Sequence, residues 1–83
     1  MKVTVKLYAM FGQYLPADAK ENTTQLEVAD GSTPAALVAG LGVPAEECHL
    51  VLINGVYVAP SERQTRPLQP GDTLAIWPPV AGG

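Results

Sequence analysis

One cysteine, Cys48, in 83 residues leaves no partner for an internal disulfide, so this chain must hold itself together with an apolar core. A chain of that length makes one domain and buries only a little over ~60% of the surface its unfolded form exposes. The composition can supply such a core: 47% hydrophobic and 16% charged residues lie far from the low-hydrophobicity, high-charge signature of disorder. A lone thiol also suits a reducing, cytoplasmic setting. Met1-Lys2-Val3-Thr4-Val5-Lys6 lacks the apolar stretch of a secretory signal, and no apolar run approaches the ~20 residues that cross a bilayer. Neither export nor membrane insertion is expected.

Charge narrows the partners. The net charge is −3, and the basic residues Lys2, Lys6, Lys20, Arg63 and Arg66 are scattered, so no stripe could neutralise a row of phosphates and nucleic acid is not expected as a partner. A mildly acidic surface fits a protein partner with a basic pocket. No metal site is expected, because one His and one Cys cannot supply the four ligands of a structural zinc, and Glu46, Glu47 and Asp72 show no ligand spacing. Cys48 and His49 are a poor nucleophile and base, since adjacent residues of an extended chain point to opposite faces. Cys48 reads as a half-buried filler and His49 as a solvated loop residue.

Periodicity assigns the elements. Residues 2–9 alternate, with Val3, Val5, Leu7 and Ala9 on one face and Lys2, Thr4, Lys6 and Tyr8 on the other, which predicts a half-buried strand. Residues 10–22, with Gly12, Pro16 and Asn22 among Phe11, Tyr14 and Leu15, predict an irregular excursion holding at most one helical turn. A second strand is expected over Thr24–Ala29 and stops at the turn dipeptide Asp30-Gly31. Ser32 or Thr33 can cap a helix that starts at Pro34, carries Leu37, Val38 and Leu41 on one stripe, and ends at Gly42 after about ten residues. Asn54-Gly55 between Leu50–Ile53 and Val56–Val58 predicts a hairpin with a type I′ turn. A polar loop over 60–69 and the turn Pro70-Gly71-Asp72 lead to a last strand, Thr73–Trp77, with Leu74 and Ile76 opposed to Ala75 and Trp77. One helix against one mixed sheet of four to five strands is an α+β layering.

The sequence then closes on Pro78-Pro79-Val80-Ala81-Gly82-Gly83. The division expected is a domain over 1–77 and a flexible tail over 78–83. Pro78-Pro79 ends the strand and projects the remaining residues as a semi-rigid arm, and six residues reach about 20 Å at ~3.3 Å each. Gly82 and Gly83 have no Cβ and can thread a narrow pocket. The Gly83 carboxylate is an anion at neutral pH and a poor electrophile until made an anhydride such as an acyl adenylate; it can then accept sulfur or an amine. Ala75 and Trp77 on the outward face of the last strand, with Tyr8 from the first, would suit an interface, where Trp and Tyr tend to be hot spots. The competing assignment for Trp77 is packing over its own sheet neighbours, and small residues also collect at frayed termini.

Leu74-Ala75-Ile76-Trp77, the Pro-Pro-Val-Ala-Gly-Gly ending and the Leu68-Gln69-Pro70-Gly71-Asp72 turn together resemble the MoaD/ThiS family of ubiquitin-like sulfur carriers, nearest to the small subunit of molybdopterin synthase. The Asn54-Gly55 hairpin and the Ser32-Thr33-Pro34 helix start fall where that family has them. The resemblance implies a β-grasp fold with the first and last strands adjacent and parallel at the sheet centre and the helix across one face. It also implies a carrier rather than an enzyme. An E1-like adenylyltransferase would adenylate Gly83 with ATP, a sulfurtransferase system would convert it to a thiocarboxylate, and Trp77, Pro78, Pro79, Val80, Ala81 and Ala75 would meet the partner. The acceptor implied is the large subunit of molybdopterin synthase, in molybdenum or tungsten cofactor synthesis, with no cofactor bound to the carrier itself. Related carriers serve thiamine, tRNA thiolation or sulfur amino acid synthesis, or are conjugated to proteins. A plain interaction module with an inert tail is the alternative of another class.

Overall fold

The computed structural model describes residues 1–79; Val80, Ala81, Gly82 and Gly83, where most of the expected tail falls, lie outside the described residues. Strand β1 (Lys2–Leu7) turns Val3, Val5 and Leu7 into the core. It stops two residues before the alternation suggests. Ala9 takes a left-handed φ of 53° and opens a 3₁₀ helix, Ala9–Tyr14, so Ala9 is exposed rather than on the inner face. Packing explains the break, because the turn carries Phe11 fully into the core, a larger apolar burial than Ala9 could give.

Strand β2 (Thr23–Glu27) pairs antiparallel with β1, setting Leu26 beside Val3 and Gln25 beside Thr4. It is shorter than Thr24–Ala29 at its end, although the Met1 ammonium donates to the Val28 carbonyl at 2.7 Å and the Val28 N–H to that of Met1 at 2.8 Å. Helix α1 (Pro34–Leu41) has eight residues instead of ten. Of the two capping candidates, Thr33 is the one that caps: its Oγ1 accepts from the Ala36 N–H at 3.2 Å, while the Ser32 hydroxyl donates to Ala29 O. Gly42 ends the helix at φ 83°, returning its N–H to the Ala39 and Val38 carbonyls.

Strands β3 (Leu50–Ile53) and β4 (Val56–Tyr57) are joined by Asn54 and Gly55, both at positive φ as a type I′ turn requires. The Asn54 amide donates to the Asp72 carboxylate at 2.9 Å and accepts from the Thr73 N–H at 2.9 Å, fastening the hairpin to the start of β5 (Thr73–Trp77). The sheet order is β2-β1-β5-β3-β4, with β1 and β5 parallel at the centre and the other pairs antiparallel. Leu37 and Val38 of α1 share one buried cluster with Val3, Val5, Leu7, Val51, Ile53, Leu74 and Ile76, which places the helix over one face. That arrangement is the β-grasp layout.

The stretch 60–69 is more than a polar loop. It begins with a 3₁₀ turn, Pro60–Glu62, and buries Leu68, whose N–H donates to Ser32 O at 2.7 Å. Arg63 donates to the carbonyls of Cys48 at 2.6 Å, His49 at 3.2 Å and Val58 at 3.3 Å. One guanidinium therefore satisfies three acceptors that no strand pairing reaches.

Candidate functional site

The face of the sheet opposite α1 is built by the register of its strands. Thr73, Ala75 and Trp77 of β5 point away from the core that takes Leu74 and Ile76. On that face Trp77 lies opposite Leu50, and Ala75 lies between Leu52 and Lys6. Leu52 is in turn opposite Tyr57, which is 53% exposed on the edge strand. Tyr8 comes directly after β1, and its ring stacks on that of Trp77 with centroids 4.2 Å apart and planes 4° from parallel. The result is an apolar field of Tyr8, Trp77, Leu50, Leu52 and Tyr57 around the end of β5.

The residues singled out in the sequence fall at different depths. Trp77 is half-buried, flat against Tyr8, so it packs over a sheet neighbour and still presents ring surface. Ala75 is on the outward face but only 9% exposed, because the longer Lys6 and Leu52 side chains flank it; it lends shape to the face and almost no area. Pro78 is buried and Pro79 exposed, so the first residue of the closing segment belongs to the body. Val80, Ala81, Gly82 and Gly83 lie outside the described residues. The Trp77 carbonyl accepts from the His49 N–H at 2.9 Å, so the backbone is held up to the last residue of β5. Leu50, Leu52 and Tyr57 escape any reasoning from single strands. Their signal is the hairpin register, which puts alternate residues of β3 beside Ala75 and Trp77.

The face is also basic at one side. Lys6 sits next to Ala75, and among the described residues the only ion pairs are those of the Met1 ammonium with Glu27 at 3.3 Å and Asp30 at 3.5 Å. Among the described residues Lys6 is in no ion pair, and it adds a positive charge to a face of an otherwise acidic chain.

The Cys48 and His49 pair stays apart. Cys48 is buried, with its thiol donating to Pro44 O at 3.5 Å, while His49 is exposed. The thiol lines a small pocket of about 130 Å³ beside α1, with Val38, Val51 and Ile76 among its walls. Burial pushes the Cys48 thiol above its ordinary value, opposed by the nearby Arg63 charge and reinforced by Glu46 and Glu47. The native state therefore holds this proton more tightly than the unfolded chain. The stability that results is complete below the unfolded thiol's range and is lost as pH rises from there through the native value. Alkylation of native Cys48 by iodoacetamide at pH 8 should run more than about tenfold slower than in the urea-unfolded chain. Equal rates would show the thiol to be accessible. Among the described residues no group of three or more His, Cys, Asp and Glu is placed to hold a metal, and no helix is long and apolar enough to cross a membrane.

The sequence model of the ThiS family matches residues 10–83. Among solved structures, the solution structure of the Haloferax volcanii HVO 2177 protein is 26% identical with a TM-score of 0.69, over 100% of this chain and 87% of that one. The crystal structure of SAMP1 from Haloferax volcanii is 25% identical with a TM-score of 0.64, over the full length of both chains. A chain from the complex of subunits 1 and 2 of molybdopterin-converting factor from Helicobacter pylori 26695 is 23% identical with a TM-score of 0.59, again over both full lengths. No sequence among curated proteins matches this chain. The fold is thus a ubiquitin-like β-grasp, shared with these solved structures.

Proposed function

Because this chain belongs to the ThiS family, we propose that it is a sulfur carrier, loaded at the Gly83 carboxyl group and docked on its partners through the open face of its sheet. The observation that carries this reading is positional. The central strand β5 ends at Trp77, inside the apolar field of Tyr8, Leu50, Leu52 and Tyr57, and runs directly into the segment Pro78–Gly83. One partner can therefore hold the body on that face while the closing residues enter its active site.

In the proposed sequence an E1-like adenylyltransferase binds the carrier and ATP. A Gly83 carboxylate oxygen attacks the α-phosphorus, pyrophosphate leaves, and the mixed anhydride is an electrophile where the free carboxylate was not. Hydrosulfide then adds at the carbonyl carbon and AMP departs, leaving a thiocarboxylate; if a sulfurtransferase delivers the sulfur as a persulfide, the product is an acyl disulfide, and a second thiol reduces it to release the thiocarboxylate and form a disulfide on the donor. The chain provides no general base and no nucleophile besides its own carboxylate; it acts as a co-substrate. The acceptor favoured is a molybdopterin synthase large subunit, supported by the likeness in fold to a chain solved in a complex of molybdopterin-converting factor subunits.

Intact-mass spectrometry tests the reading. Incubation with an E1-like enzyme of the same genome, MgATP and sulfide should replace one terminal oxygen by sulfur, and omitting ATP should prevent it. Chain-dependent exchange of pyrophosphate into ATP should accompany it. If neither appears with any such activator, while the chain still binds one through its sheet face, the protein is an interaction module and the carrier reading falls.

A further inference from the structure

Resting on the carrier reading, we propose that Tyr8 is a positioning residue: by stacking on Trp77 it sets the direction in which the residues after β5 leave the body. The backbone that carries this ring is held on both sides. The Tyr8 N–H donates to the Ile76 carbonyl at 3.1 Å, which carries the parallel pairing of β1 and β5 one step past β1. Just before it, Leu7 is held at both ends by Asn22: the Leu7 N–H donates to Asn22 O at 3.0 Å, and the Asn22 amide donates to Leu7 O at 2.8 Å. Just after it, Ala9 takes φ 53°, and the Phe11 N–H returns to Tyr8 O at 3.1 Å while Phe11 plugs into the core.

Asn22 itself holds a left-handed φ of 62°, and Ala9 holds another, conformations that L residues seldom adopt. A Cβ on Gly12 would lie 2.9 Å from the Asn22 amide nitrogen, so that side chain would have to shift and disturb its bond to Leu7 O. These constraints converge on the half-buried Tyr8, and Tyr8 touches the last residue of β5 ring to ring. With the Trp77 carbonyl bonded to the His49 N–H, both backbone and side chain of that residue are clamped.

The clamp matters because an error at the base grows along the segment. Six residues fully extended span about 20 Å, so a swing of about 15° at Trp77 moves the far end by about 5 Å. Group transfer demands placement within about an ångström. Without the stack, the partner must supply the order that Tyr8 provides, a cost met on docking and therefore expressed in KM rather than kcat.

The test is a double-mutant cycle on Tyr8→Ala and Trp77→Leu, read as thiocarboxylate formation against carrier concentration. Tyr8→Ala should raise KM about three- to tenfold, the size of an aromatic pair's coupling, and change kcat little. Tyr8→Phe, which keeps the stack, should recover most of the loss. In the Trp77→Leu background Tyr8→Ala should add almost nothing, because the partner of the stack is already gone. Since Trp77 is the chain's one tryptophan, the time-resolved anisotropy of its fluorescence should show a freer indole in Tyr8→Ala with no enzyme present. Additive effects would mean that Tyr8 serves loading only as part of the docking face and not through Trp77, and an unchanged KM would mean that the stack is irrelevant to loading; either overturns the proposal. If the wild type takes up no sulfur, the carrier reading fails instead, and the anisotropy still decides whether Tyr8 restrains Trp77.

Discussion

Deletion of Gly83 should abolish sulfur loading and leave the melting temperature where it was. The first half follows from reach. Losing one residue draws the terminal carboxylate back by about 3.3 Å, and displacements of about 1 Å already cost on the order of 100-fold in group transfer. The second half follows from the body, since the core cluster and all five strands lie within residues 1–77. Gly83→Ala probes the same site more gently: it keeps the length and adds one methyl group, so its loss measures how narrow the partner's channel is. Intact mass after incubation with activator, MgATP and sulfide reads loading, and differential scanning calorimetry reads the fold. Retained binding of the deleted form to the activator is expected, because the docking surface proposed is the sheet face. Normal loading of the deletion would remove Gly83 from the chemistry, and lost binding would shift the docking site from the sheet to the closing residues.

How far the sequence discloses this molecule depends on the range of the forces at each place. The Asn54-Gly55 turn and the Gly42 stop are local devices that stand where the sequence puts them, and of the two adjacent cap candidates the structure selects Thr33. The central pairing of β1 with β5 is reached through family resemblance; no short-range signal carries a contact between the two ends of a chain. Ala9, Phe11, Arg63 and Leu68 resist prediction for a common reason. Each does something that only tertiary packing defines: a turn that frees Phe11 for the core, a cation for three distant carbonyls, and a leucine that reaches the core from a polar stretch. The candidate site divides likewise. Trp77 is legible from strand alternation, whereas Leu50, Leu52 and Tyr57 join it only through register with β3 and β4.

The 3₁₀ excursion after β1 looks expendable in sequence, yet it carries one of the largest fully buried side chains, Phe11, into the core. Phe11 is fully buried and meets Tyr14 edge-on at 6.0 Å, while its neighbour Met10 is 59% exposed on the same turn. Phe11→Ala should therefore cost about 4 kcal/mol through lost transfer energy and the cavity left behind. For a domain this small, total stability is only about 4–12 kcal/mol, so the variant would stand near the unfolding threshold. A loss of that size lowers the melting temperature by roughly 16–32 °C. Met10→Ala, which empties no cavity, should stay within about 0.5 kcal/mol of the wild type. Urea titrations followed by Trp77 fluorescence measure both, and the contrast between adjacent residues removes helix propensity as an explanation. Matching midpoints for the two variants would mean that the excursion merely rests on the sheet. A large gap would make it the plug of the core and, through the Phe11 N–H to Tyr8 O bond, part of the frame that holds the aromatic stack at the end of β5.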